Sequence, residues 1–262
     1  MRAEQSGPRQ PARDSAYFDR WYAEMEASPA KDAILRRHLD LPADLGSAGV
    51  VPWEALDEIA QALRMPTDGL LVDVACGRGG YGIEIAKRSG TRLIGVDFSA
   101  VALRDARRIA ARRLGPGRAE FRVGVLTDLD LPTGVADAIM CTDSVQFADP
   151  PAAALSEFRR VLAGGGRLAL TTWQPTSPGD PRVVSRLRNL DLRRELESAG
   201  FHHVVVEQRL RWRAAERGAY EEAVATVDDG RDPALASLRE EGRRALDSFE
   251  TLQRIVAYAT AP

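Results

Sequence analysis

The stretch LLVDVACGRGGYG, Leu70 to Gly82, decides how this chain folds. Leu70 to Val74 is a short apolar block rich in β-branched residues, the composition of a strand buried on both faces of a parallel sheet. Gly77, Gly79 and Gly82 follow, and then a run with helical periodicity. Glycines there permit positive φ and let a ligand lie against bare backbone. The helix behind them presents free N–H groups and the positive end of its dipole. A small-molecule cradle at a strand-to-helix turn is the expectation.

By spacing alone this is a G-x-G-x-x-G, which nicotinamide and flavin enzymes also carry. Two neighbours shift the balance. Asp73 lies inside the strand, where a carboxylate is costly unless it serves a ligand or a backbone donor. Arg92 to Asp97 (RLIGVD) reads as a second strand ending in an acid, at the distance where a carboxylate can accept both hydroxyls of a ribose. Asp73-x-x-x-Gly77-x-Gly79 followed by Gly95-Val96-Asp97 resembles the S-adenosylmethionine site of class I methyltransferases, and the resemblance runs in order through most of residues 70 to 175.

That resemblance implies an α/β fold: a Rossmann-like seven-stranded sheet, mostly parallel with the last strand antiparallel, and helices on both faces. It implies S-adenosylmethionine as cofactor, with Asp97 on the ribose and the loop from Gly77 to Gly82, with Ala75 and Gly79, under the methionyl part. Asp73 and the Thr142 backbone would fix the amino end and Leu126 would pack on the adenine ring, with Phe98 and Thr127 among the other cofactor-binding residues. Relatives usually carry Gly-Asp where this chain has Gly124-Val125, so the polar adenine contact falls to backbone atoms or to Asp128.

With 262 residues, 36 basic and 38 acidic, the chain is long enough for one well-buried domain, and its net charge of −2 gives no general pull towards nucleic acid or membrane. No stretch reaches the apolar length of a membrane span, and the first fourteen residues lack the apolar core of a signal peptide. Cys76 and Cys141 fall at the ends of two different strands, which suggests pocket linings in a reducing, cytoplasmic setting more than a disulfide or a nucleophile.

Residues 1 to 14 read as a disordered leader and 15 to 66 as an N-terminal helical lid. Tyr17, Phe18, Trp21, Tyr22 and Met25 share one helical face, either packed on the domain or laid across the open sheet end to exclude water. Leu56, Ile59, Ala60 and Leu63 form a packing stripe before the first strand. The S-adenosylmethionine-binding domain then spans 67 to 262. Ser99 is the expected N-cap of a helix to Leu114 whose arginines, Arg104, Arg107, Arg108, Arg112 and Arg113, read as a solvated face rather than an RNA surface, since no aromatic residues interleave them.

Expected strands cover 120–125, 135–142, 167–173, 202–209 and 252–260, with a helix at 154–163 leading into a glycine turn at Gly164 to Gly166. A helical insertion over about 213–250 either covers the acceptor or forms a subunit contact, which leaves a homodimer open. His202 and His203, adjacent in a strand, point to opposite faces and make a poor metal pair, so no metal is expected.

The crevice outside the strand ends is where ligands bind in such sheets. Tyr17, Trp21, Gln146, Phe147 and Trp173 are the candidate acceptor-lining residues, and Asp143 and His38 the candidate bases for a hydroxyl acceptor. The resemblance implies methyl transfer to a small molecule, with a hydroxyl of a secondary metabolite as the expected acceptor. Two alternatives stay open: a methyltransferase-like scaffold that catalyses a cyclisation or only binds, and an NAD(P)-dependent oxidoreductase.

Overall fold

A computed structural model describes residues 15–25, 28–45 and 49–262; the leader expected over 1–14 lies outside the described residues. The strands are β1 (Leu70–Val74), β2 (Arg92–Asp97), β3 (Ala119–Val123), β4 (Ala136–Thr142), β5 (Leu162–Pro175), β6 (His202–Gln208) and β7 (Leu252–Thr260). They form one sheet in the order β3-β2-β1-β4-β5-β7-β6. The pairs from β3 through β5 are parallel, while β7 runs antiparallel to both β5 and β6. This is the expected seven-stranded, Rossmann-like arrangement. Insertion of β7 between β5 and β6 departs from the 3-2-1-4-5-6 order of dinucleotide-binding sheets, which argues against the oxidoreductase alternative.

Helices α1 (Ser15–Glu24), α2 (Pro29–Leu39), α3 (Trp53–Leu63), α4 (Gly80–Ser89) and α5 (Ala100–Arg113) come first in the chain. Helices α6 (Pro151–Val161), α7 (Leu192–Ser198), α8 (Leu210–Ala225) and α9 (Pro233–Asp247) follow. All five residues of β1 are buried, so the strand is covered on both faces. Leu71 joins the α3 residues Leu56, Ile59 and Leu63 and the α4 residues Ile83 and Ile85 in one core layer. Val72 and Val74 face the opposite layer, with Phe158 of α6 and Leu196 of α7. Helix α3, although inside the segment expected to form a lid, therefore belongs to the core.

Local signals explain most element ends. Ser99 caps α5, its Oγ accepting a hydrogen bond from the Ala102 N–H at 3.1 Å. Pro151 sits in the first turn of α6, where its missing N–H costs nothing. Two boundaries differ from expectation. β3 stops at Val123, because Val125 and Asp128 exchange backbone hydrogen bonds of 3.0 Å and turn the chain at Leu126 and Thr127. β5 starts at Leu162, before the glycines: Leu162 pairs with Ala136 and Arg167 with Ala138, so Gly164 to Gly166 bulge out of the strand, with Gly165 at φ 77°.

The insertion folds as α8 and α9, which pack on each other, with α8 also against α2 and β7. Among the described residues no helix is long and apolar enough to cross a membrane.

Candidate active site

The loop after β1 is shaped by its glycines. Gly77 (φ 53°) and Gly79 (φ 78°) take left-handed conformations, and Ala75 (φ 57°) shares that region at the bend itself. Gly82 does not: it is an ordinary helical residue of α4, and the expected positive φ is corrected to a demand for space. A Cβ there would stand 2.8 Å from the Cβ of Asp73, so only glycine lets α4 lie against that carboxylate.

Asp73 is 2 % exposed. The Gly82 N–H donates to its carboxylate, while Oδ1 is buried with no hydrogen-bond partner among the described residues. Burial first, and the nearby Asp97 second, push its pKa up to about 8. Asp97 is held differently. Its Oδ2 accepts from the Gly77 N–H and its Oδ1 from the Ser99 N–H, both at 2.8 Å. Burial raises its pKa against the pull of these backbone donors. Each oxygen keeps lone-pair capacity beyond its one N–H. Cys76 and Cys141 are free thiols, both pushed up mainly by burial, which suits lining groups rather than nucleophiles.

Helix α1 roofs this loop. The Tyr22 hydroxyl lies 2.5 Å from where a Gly77 Cβ would stand, and burial, then Asp97, raises its pKa. Phe18 packs on Phe98 at 5.2 Å between ring centroids. Asp19 Oδ1 accepts from Ser99 Oγ (2.6 Å) and the Val101 N–H (3.2 Å), and Arg78 Nη2 donates to the Tyr22 carbonyl (2.7 Å). At the other end Trp21 Nε1 donates to Ser237 Oγ of α9 at 3.0 Å.

Beside the loop, at the C-terminal ends of β4 and β5, lies a buried ionic network. Arg254 of β7 is 0 % exposed and makes a two-pronged ion pair with Asp143. Thr171 Oγ1 donates to Asp143 Oδ1 at 2.8 Å, and Gln146 Nε2 donates to the Asp143 carbonyl at 2.7 Å. On the far side Glu216 of α8 stands 3.3 Å from Arg254 Nε and accepts from Trp173 Nε1 at 3.1 Å. The Tyr220 hydroxyl, with one proton to donate, lies between Glu216 Oε1 at 3.3 Å and Glu241 Oε1 at 3.1 Å. Burial opposes the Arg254 charge, but Asp143 and Glu216 outweigh it and hold the pKa high; burial pushes Glu216 up, with Arg254 pulling the other way.

The candidate residues thus divide. Asp73, Ala75, Gly77, Gly79, Asp97 and Phe98 converge beneath α1. Thr142 accepts from Ser144 Oγ through its carbonyl (3.0 Å), and Leu126 and Thr127 form the turn beyond β3. Gln146 is buried, its Oε1 accepting from Thr172 Oγ1 at 2.9 Å. Trp173 packs on Phe249 at 5.1 Å and walls the network. Tyr17 stays on α1, edge-on to Phe18. Phe147 is 45 % exposed, with the Arg186 guanidinium over its ring. His38 is not at the strand ends: its Nε2 lies 2.6 Å from Glu222 in the contact of α2 with α8. Arg254, Glu216, Tyr220 and Tyr22 were not singled out for the site. The available signal was a lone charge on the inward face of β7 (Leu252, Arg254, Val256) and a carboxylate inside the buried stripe Trp212, Ala219, Tyr220 and Ala223 of α8.

Comparison with known proteins gives the same class. A methyltransferase domain family matches residues 71–166. Phosphoethanolamine N-methyltransferase 1 of Zea mays is 27% identical over 168 residues, covering 60% of this chain and 32% of that protein. The chloroplastic tocopherol O-methyltransferase of Arabidopsis thaliana is 32% identical over 103 residues, 39% of this chain and 30% of that protein. The matches therefore span about a third of these curated relatives' length. Among solved structures, the [4+2]-cyclase SpnF superposes with a TM-score of 0.69 at 24% identity, covering 84% of this chain and 81% of that one. Residues 71–166 are thus similar to a methyltransferase domain, and the sheet order and glycine loop agree with the fold of class I S-adenosylmethionine-dependent methyltransferases.

Proposed function

We propose that this protein transfers a methyl group from S-adenosylmethionine to a small-molecule acceptor, at an acidic hydroxyl such as a phenol or enol of a secondary metabolite. The observation that carries this reading is Asp73 Oδ1, buried and without a partner next to the glycine loop. An α-ammonium group is the donor such an oxygen lacks, and pairing relieves the cost of a buried carboxylate. The spare lone pairs of Asp97 suit a ribose diol. Bound there, S-adenosylmethionine supplies an electrophilic methyl on its sulfonium.

The chain's own residues then have three tasks. The glycine loop and the two carboxylates fix the donor, so that an acceptor oxygen about 3 Å from the methyl can attack in line. Helix α1, tied to both α5 and α9, closes over the loop and excludes water. Trp173, Gln146 and the α8 and α9 helices wall the acceptor side. Proton removal by Asp143 is disfavoured, because Arg254 and Thr171 hold its carboxylate. A phenol, with a pKa near 10 in water, needs less help than an alcohol, and this favours an acidic hydroxyl. The O-methylating relative named above supports the same acceptor class.

Titration calorimetry with S-adenosylhomocysteine tests the donor site, with single-site binding expected and Asp97→Ala and Asp73→Asn both weakened. Absence of binding, or undiminished binding by both variants, removes the proposal. The likeness to a [4+2]-cyclase supports one second reading, a cofactor-binding scaffold for cyclisation. Tight donor binding without methyl turnover on a panel of phenols, enols and amines would favour it.

A further inference from the structure

A cavity of about 660 Å³ opens between α1, α2 and α5, lined at one end by Tyr22 and by Arg78 of the glycine loop. Five cations line it, Lys31, Arg78, Arg104, Arg108 and Arg112, against the carboxylates of Asp32, Asp44 and Asp105. Arg104, Arg108 and Arg112 recur every fourth residue of α5, so they form a row about 12 Å long at 1.5 Å per residue. Asp105 is engaged by Arg78 at 3.1 Å and by Arg108 at 3.3 Å. Arg104 and Arg112 make no hydrogen bond or ion pair among the described residues.

A row of exposed arginines alone would be a solvated face, as the sequence suggested. Two features at the inner end of this cavity argue otherwise. Arg78 Nε is buried with no hydrogen-bond partner among the described residues, its neighbour Asp105 lying out of line. Lys31 faces the same space with no partner for its ammonium among the described residues, and burial pulls its pKa down. Leu35, Leu41, Leu45 and Ile109 supply apolar wall between these charges. An anion placed there would complete Arg78, stabilise the charge on Lys31 and leave an organic part against the leucines.

We propose that this cavity is a second binding site, adjoining the methyl-donor cradle at Tyr22 and Arg78, for a small molecule carrying a di- or triphosphate. A di- or triphosphate carries more charge and more acceptor oxygens than a single phosphate, so several of these long arginine side chains can converge on it together with the inner Lys31 and Arg78. The site stands on its own lining, whatever acceptor the neighbouring cradle serves.

The test is calorimetric titration of the full chain with inorganic pyrophosphate and tripolyphosphate, with and without saturating S-adenosylhomocysteine. Expected are saturable binding at one site, tighter for tripolyphosphate, weakened by added salt and retained when S-adenosylhomocysteine is bound. The double variant Arg104→Ala/Arg112→Ala should lose about tenfold or more in polyphosphate affinity while its S-adenosylhomocysteine affinity is unchanged. No saturation in the millimolar range, equal affinity in the double variant, or displacement by S-adenosylhomocysteine would each overturn the assignment. So would capture of single-stranded RNA that polyphosphate fails to displace, because the arginine row would then serve nucleic acid.

Discussion

A buried carboxylate with one oxygen satisfied and the other bare is poised to respond to a cation. Asp73 is in that state, and its pKa is pushed up to about 8 from the ordinary value near 4. The native chain without ligand therefore binds this proton more tightly than the unfolded chain, so the group's contribution to stability falls as pH rises from about 4 to about 8. Binding of an α-ammonium group reverses the preference, because it needs the carboxylate ionised. Affinity for S-adenosylhomocysteine should rise with pH by up to about tenfold per unit below 8 and level off above it. Asp73→Asn should flatten that slope and bind more weakly by about 2 kcal/mol or more, both read by calorimetry across pH. Gly82→Ala tests the same spot sterically. Its methyl would meet the Asp73 Cβ at 2.8 Å, a clash that α4 and β1 can relieve only by shifting. A loss of about 1–3 kcal/mol in denaturant unfolding is expected, together with weaker donor binding.

At the scale of elements, the strand ends are tied together by charges that come from far apart in the chain. Asp143 follows β4, Arg254 opens β7 and Glu216 projects from α8, yet all three are packed into one network. Arg254→Met should cost about 3–5 kcal/mol in urea unfolding, because the buried Glu216 and the half-buried Asp143 lose the cation they share. The deficit should shrink on acidification, as the stranded carboxyls take up protons; a pH-independent deficit would mean that packing, not charge, carries the loss. This network also marks where the sequence was legible and where it was not. β1, the glycine loop, the Ser99 cap and the β7 boundaries follow from local composition, and local composition is visible in one dimension. That Asp143 is neutralised, or that His38 pairs with Glu222, depends on partners 111 and 184 residues away. Phe147 had the right residue type at the right strand end, but the short helical turn after Ser144 carries its ring outward beneath Arg186.

Across the whole molecule, α1 is the one described element anchored to both halves of the site. Asp19 ties it to the start of α5 on the donor side, and Trp21 ties it to α9 on the acceptor side. Tyr22 stands over Gly77, so under the proposed donor site α1 has to lift before a donor settles on the glycine loop. A neutral hydrogen bond such as that of Trp21 is worth about 1 kcal/mol, and those to the Asp19 carboxylate about 1.5–3 kcal/mol. Asp19→Ala should thus favour the raised position by about tenfold or more. Since lifting precedes both entry and exit, association and dissociation of S-adenosylhomocysteine should both accelerate in stopped-flow measurements, while the dissociation constant moves much less than either rate. Trp21→Phe should do the same more weakly, because it frees only the acceptor-side anchor. If both variants changed the dissociation constant and left the association rate untouched, α1 would be a wall of the donor site rather than its gate.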